Sequence, residues 1–225
     1  MTRGAVTGLR RFARPSPAAS PAAAPADHCE LCGETLPERH GHMVDTRERV
    51  LACACTACAL LFTRPGRRYR TVPDRVRHDP DAPLSAAEWA GLRIPVSMAF
   101  FMVNSDLRRV VASYPSAAGA TECELDLAEW DRLAAAHPLL RAPEPDVEAI
   151  LAVAGEDHED CTVETFLIPV DACYELAGAL RLHWRGFDGG TEARRLLAEF
   201  LDGIRRRSRP LEGGCGRDAT IRSGE

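Results

Sequence analysis

Apolar and polar positions alternate along this chain in blocks, and each block predicts an element. The last third carries two stripes at helical spacing. Cys173, Leu176, Ala177, Leu180 and Trp184 line one face of a helix predicted over 171–185. Ala193, Leu196, Leu197, Phe200, Leu201 and Ile204 do the same over 191–207, and Gly186, Gly189 and Gly190 separate the two. Upstream, dense apolar runs at 94–103 and 107–114 flank Asn104-Ser105-Asp106, whose side chains favour turns, so the runs predict a hairpin. Further strands are expected at 147–154 and 162–168, on either side of an acidic loop over 155–160. Ser85 with Glu88, and Asp126 with Glu129, have capping-box spacing and predict short helices that end before Pro95 and Pro138.

Strands paired among themselves, with helices gathered apart from them, define an α+β fold. The expected form is a small zinc-ribbon-like knuckle followed by a mixed domain with an antiparallel sheet and C-terminal helices. Residues 1–27, built mostly of Ala, Pro and Ser, read as a disordered leader, because such tracts bury too little apolar surface to order themselves. Residues 28–63 form a cysteine-rich knuckle and 64–83 an Arg/Pro-rich linker. The α+β domain occupies 84–207, and 208–225 is a flexible tail.

The knuckle carries the chemistry. It reads Cys29-Glu30-Leu31-Cys32-Gly33 and then Cys53-Ala54-Cys55-Thr56-Ala57-Cys58. Two cysteines three apart can set both thiolates on one tetrahedral ion, and glycine after the second relieves the tight turn. Cys29, Cys32, Cys55 and Cys58 are therefore the expected ligands. Residues 44–53 supply an intervening hairpin and 59–62 a packing strand. Cys53 shares a strand face with Cys55 and could replace it, while His40 and His42 in the loop could each offer a nitrogen. Four thiolates suit zinc, and also iron in a rubredoxin-like centre. Rubredoxin knuckles carry glycine after both pairs, whereas Ala59 follows Cys58 here, which favours zinc. A closed four-cysteine shell leaves no position for a reactive water, so its role is architectural.

Composition narrows the classes. The chain has 225 residues, 45 % hydrophobic, with a formal charge of −5, so it lacks the positive excess of a general nucleic-acid binder. Every basic residue is arginine, and those at 64, 67, 68, 70, 75 and 77 are the one local stretch that could follow a phosphate backbone. No apolar run reaches the ~20 residues that span a bilayer. Leu9-Arg10-Arg11-Phe12 looks like a twin-arginine signal but lacks an apolar segment behind it, so a cytoplasmic location is expected. There, nine cysteines point to metal rather than disulfides. Cys123, Cys161, Cys173 and Cys215 show no ligand spacing. His137, His158 and His183 pair with no evident nucleophile, and no phosphate loop or hydrolase motif occurs. No enzyme constellation is visible.

Taken with Tyr69-Arg70-Thr71-Val72-Pro73, Tyr114-Pro115-Ser116, 168–176 and 184–190, the cysteine segment resembles an uncharacterised bacterial family. The resemblance covers roughly residues 28–207. Members of that family accompany nickel-iron hydrogenase genes of the actinobacterial type, which implies an accessory protein whose partner is a hydrogenase subunit or maturation factor. The alternatives are a rubredoxin-like iron electron carrier and a zinc-ribbon nucleic-acid-binding protein.

Overall fold

The computed structural model describes residues 27–63, 68–155, 163–186 and 189–211. The leader, most of the acidic loop with His158 and Cys161, and the end of the tail with Cys215 lie outside them. Two sheets organise the chain. The smaller has the order β2-β1-β3, from β1 (Gly41–Asp45), β2 (Val50–Ala54) and β3 (Tyr69–Thr71), all antiparallel. A short helix, α1 (Thr56–Phe62), follows β2.

The larger sheet has seven strands. They are β4 (Arg77–His78), β5 (Met98–Asn104), β6 (Arg109–Ser116), β7 (Gly119–Cys123), β8 (Glu148–Ala154), β9 (Val163–Pro169) and β10 (Arg209–Pro210). Their order is β10-β4-β9-β8-β5-β6-β7, antiparallel except where β10 runs parallel to β4. The hairpin of β5 and β6 matches the sequence expectation, with Asn104 Oδ1 accepting the amides of Asp106 and Leu107 in the turn. Strand β7 has no dense apolar run and was not foreseen.

Successive side chains of a strand face opposite ways, and this sheet is covered on both sides. On one side Ala99, Phe101, Ile150, Ala152 and Leu167 meet α2 (Ala86–Gly91), α3 (Leu127–Ala136) and the 3-10 turn at Pro138–Arg141. Phe101 stacks on Trp130 with ring centroids 4.7 Å apart and meets Trp89 edge-on at 6.4 Å. Such aromatic pairs add ~1 kcal/mol each beyond the area they bury. On the other side Met98, Phe100, Leu151, Phe166 and Ile168 meet α4 (Val170–His183) and α5 (Gly190–Arg207) through Leu176, Leu180, Ala193, Leu201 and Ile204. The two helical stripes read from the sequence are the faces that cover this side.

Of the linker expected over 64–83, the described residues 68–83 contribute β3 to one sheet and β4 to the other. Their arginines are held within the chain. Arg68 donates to Asp45 at 2.6 Å and Arg70 to the Pro145 carbonyl at 2.7 Å. Arg75 grips Glu148 with two bonds, at 2.6 and 2.8 Å. Glu148 is wholly buried at the head of β8, and its carboxylate also accepts the Glu144 amide. Val44, Val72, Val147 and Val170 form a small apolar seam between the two sheets. Among the described residues no helix is long and apolar enough to cross a membrane.

Two outcomes follow. Arg75→Met strands a buried charge and is expected to cost about 2–3 kcal/mol in urea unfolding, while adding Glu148→Met recovers much of the loss. A single variant as stable as the wild type would show that Glu148 needs no cation. Glu88 closes the capping box on Ser85 and also takes His137 Nε2 at 3.0 Å. The Ser85 amide, with His137 adding, holds its carboxyl down at about 2, against an ordinary value of 4.5. A depressed carboxylate stabilises the fold above its unfolded pKa and loses that contribution as pH falls through the folded one. Glu88→Gln is therefore expected to lose ~1 kcal/mol at neutral pH. In denaturation series the deficit should shrink between about pH 5 and 2; a deficit constant with pH would refute the linkage.

Candidate metal centre

The first cysteine pair sits on a tight turn. Gly33 donates its amide to the Cys29 carbonyl at 2.7 Å, and Cys29 donates to Glu34 at 2.8 Å. Gly33 has φ 77°, and a Cβ there would meet nothing within 4 Å, so glycine is required for its backbone and not for space. Glu30 docks the turn onto β2. Its amide donates to the Cys53 carbonyl at 3.0 Å, and its carboxylate accepts the Cys53 amide at 2.9 Å.

The second pair differs from the ribbon expectation. Residues 59–62 were expected as a strand, but they belong to α1, with Cys55 as its N-cap and Cys58 in its first turn. The Cys58 amide donates to Cys55 Sγ at 3.4 Å. A residue that caps a helix with its side chain accepts an otherwise orphaned amide, and cysteine sulfur does this here in the way oxygen usually does. The result is knuckle, hairpin and helix start, not two knuckles on an all-strand scaffold.

These elements bring the four expected cysteines together. The sulfurs of Cys29, Cys32, Cys55 and Cys58 all lie within 4.8 Å of one another. Cys29, Cys55 and Cys58 are buried with Leu36 in a core of their own, and Cys32 is exposed. Cys32 and Cys55 are 3.8 Å apart, well beyond a disulfide bond of about 2.05 Å. The donor set is soft, compact and matched to a tetrahedral ion.

Electrostatics supports that reading. The Cys55 amide, helped by those of Leu31 and Cys32, pulls the Cys29 thiol down to about 6 against the opposing effect of burial. The Cys58 amide lowers Cys55 too, but burial and the thiols of Cys32 and Cys29 outweigh it and the net shift is upward. Burial pushes Cys58 up, with the other three cysteines adding. The pocket thus favours one thiolate and resists the next. A divalent cation is the species that lets all four ionise together.

Cys53, His40 and His42 do not join this group. They converge on a separate point, where one donor atom from each lies within 4.8 Å of the others. Asp171, which sequence reasoning did not single out, accepts His42 Nδ1–H at 2.9 Å from the first turn of α4. No local signal could have found it, because 129 positions separate the two residues. Cys123 and Cys173 pack against the two faces of the large sheet, and burial raises both thiols. His137 bonds Glu88 and the Ala82 carbonyl, so it fastens α2 to α3.

Fold and site together define a cysteine-rich α+β protein with a tetrathiolate candidate metal centre. Within that class the chain belongs to DUF5947, a family of unknown function, which matches residues 28–208. No curated protein and no solved structure matches the chain.

Because thiols must ionise to bind a metal, filling the four-cysteine site with zinc near neutral pH is expected to release about three protons. Calorimetry in buffers of different ionisation enthalpy measures this. Uptake without proton release would place the ion elsewhere.

Proposed function

We propose that this protein is a zinc-binding accessory protein that acts through protein–protein contacts, with Cys29, Cys32, Cys55 and Cys58 as the ligands. The observation that carries the reading is the mutual approach of those four sulfurs within 4.8 Å. Four thiolates close the shell of a tetrahedral ion, so the zinc organises residues 28–63 and performs no chemistry on a substrate. In this reading residues 28–63 are the metal module and 84–207 the body that carries it, in the cytoplasm.

A contact surface stands beside the centre. Leu60, Leu61 and Phe62 on α1 are 75, 64 and 45 % exposed, an apolar triplet of the kind that marks interaction sites. The partner we assign is a nickel-iron hydrogenase subunit or maturation factor. That assignment rests on the resemblance to a family found beside such genes.

The arginines around 70 favour no nucleic-acid role, since Arg68, Arg70 and Arg75 are held by Asp45, Pro145 and Glu148. The rubredoxin-like alternative draws no support from α1, where the second pair caps a helix.

Elemental analysis and a visible spectrum of protein made natively under iron-replete growth test the metal. Zinc in a colourless protein is expected; a red iron protein with a reversible one-electron couple would replace this reading with the electron carrier. For the partner, co-expression with the hydrogenase subunits is expected to yield a complex. Leu60→Asp with Leu61→Asp should weaken it at least tenfold without changing metal content. Failure to associate with any hydrogenase component would remove the assigned partner.

A further inference from the structure

A second group of donors lies on the same hairpin, beside the four-cysteine core that Cys53 edges. His42 of β1 stands directly opposite Cys53 of β2 in the register, so the two side chains share a face. His40 lies two residues before His42 and projects to the same side, with ring centroids 4.9 Å apart. One donor atom from each of the three falls within 4.8 Å of the others.

The hydrogen bonds around the rings decide which atoms remain. His40 Nδ1 lies 2.9 Å from the Pro37 carbonyl. A carbonyl only accepts, so that nitrogen carries the proton and Nε2 keeps its lone pair. His40 Nε2 is buried and has no hydrogen-bond partner. A buried acceptor left without a donor is rare in proteins and asks for an occupant. His42 Nδ1 is likewise held by Asp171 Oδ2, a carboxylate whose other oxygen accepts the Ala172 amide at 2.8 Å. A histidine fixed through one ring nitrogen by a carboxylate or carbonyl, with the other left free, is the usual outer shell of a metal site.

We propose that His40, His42 and Cys53 hold a second metal ion, distinct from the tetrathiolate centre. Two imidazoles and one thiolate suit a borderline-soft divalent ion such as zinc or cobalt. Three protein ligands leave one tetrahedral position unfilled, which separates this site in kind from the closed shell of four thiolates. Both histidines and Asp171 line an open cleft of about 770 Å³, whose wall also carries Glu34, Glu38, Asp74 and Glu175 against one arginine, Arg39. That acidic wall attracts a cation, and it disfavours an anion at the open position, where water completes the shell. Asp171 is a positioning residue: it holds the His42 ring and makes no bond to the ion. The two-ion count rests on the tetrathiolate reading, and the four-cysteine cobalt band in the test tells a failure of that reading from a failure of this one.

The test uses the full-length protein, loaded with Zn²⁺ or Co²⁺ alone, desalted, and examined by elemental analysis and the cobalt spectrum. Wild type is expected to hold two ions per chain. Cys53→Ser and His40→Gln should each hold one, with the intense thiolate-to-cobalt band of the four-cysteine site unchanged; that band also reports that the variants are folded. Asp171→Asn should bind the second ion 10- to 100-fold more weakly with its spectrum retained. One ion in the wild type would overturn the proposal. So would two ions in both variants, or a four-cysteine band that weakens in either, since the trio would then belong to the first site.

Discussion

A carboxylate sealed from water must be paired, and Glu148 sets that demand at the head of a central strand. Arg75 meets it with a two-bond grip, and the Glu144 amide supplies a third contact. Together with the buried Val72 and Val76, the pairing fixes the path of residues 68–83. On one side of Arg75 the chain adds β3 to the small sheet, and on the other it adds β4 to the large one. The valine seam between the sheets then closes. The position of the cysteine segment on the body follows from this ion pair together with the valine seam, the Arg70 bond to Pro145 and the His42 bond to Asp171.

The cysteine segment has a different problem. Around thirty residues cannot build an ordinary hydrophobic core, and domains this small usually rely on a metal or a cross-link. Around the ligands the buried interior is three sulfurs and Leu36, with Leu31 and Cys53 at its edge, while Met43, Val44, Ala52 and Ala54 are buried elsewhere on the hairpin. Such a core has little apolar cohesion, and its shape is instead drawn by amides aimed at sulfur. Those amides come from the knuckle turn and from the start of α1, two places where the backbone leaves N–H groups without internal partners. Local chain geometry and ligand electrostatics are thus the same feature.

Much of this was legible in the sequence. The four cysteines could be chosen because C-x2-C with a following glycine is a local signature, and locality is what a single sequence records best. The capping box at Ser85, the N-cap at Asp126 and the stripes of α4 and α5 were readable for the same reason, although Glu129 pairs with Arg132 and does not complete a second box. The apolar run at 59–62 was read as a strand because four consecutive apolar residues have no period; the N-cap at Cys55 decided for helix. Arg75 looked like part of a solvated linker because its partner is 73 positions away. His40, His42 and Cys53 read as alternative ligands to the four-cysteine set. Their convergence depends on the register of β1 against β2, which alternation alone does not specify.

The link between His42 and Asp171 also imposes an order in time. Cys29 to Cys58 is a short stretch that closes through a turn and a hairpin, and such contacts form early because little chain entropy is lost in closing them. Asp171 lies in the first turn of α4, beyond most of the large sheet. During synthesis from the N-terminus, the four-cysteine cluster is complete while the carboxylate that orients His42 has yet to be made. The four-cysteine cluster is therefore set before the body exists, and the orientation of His42 beside it waits for the body to fold.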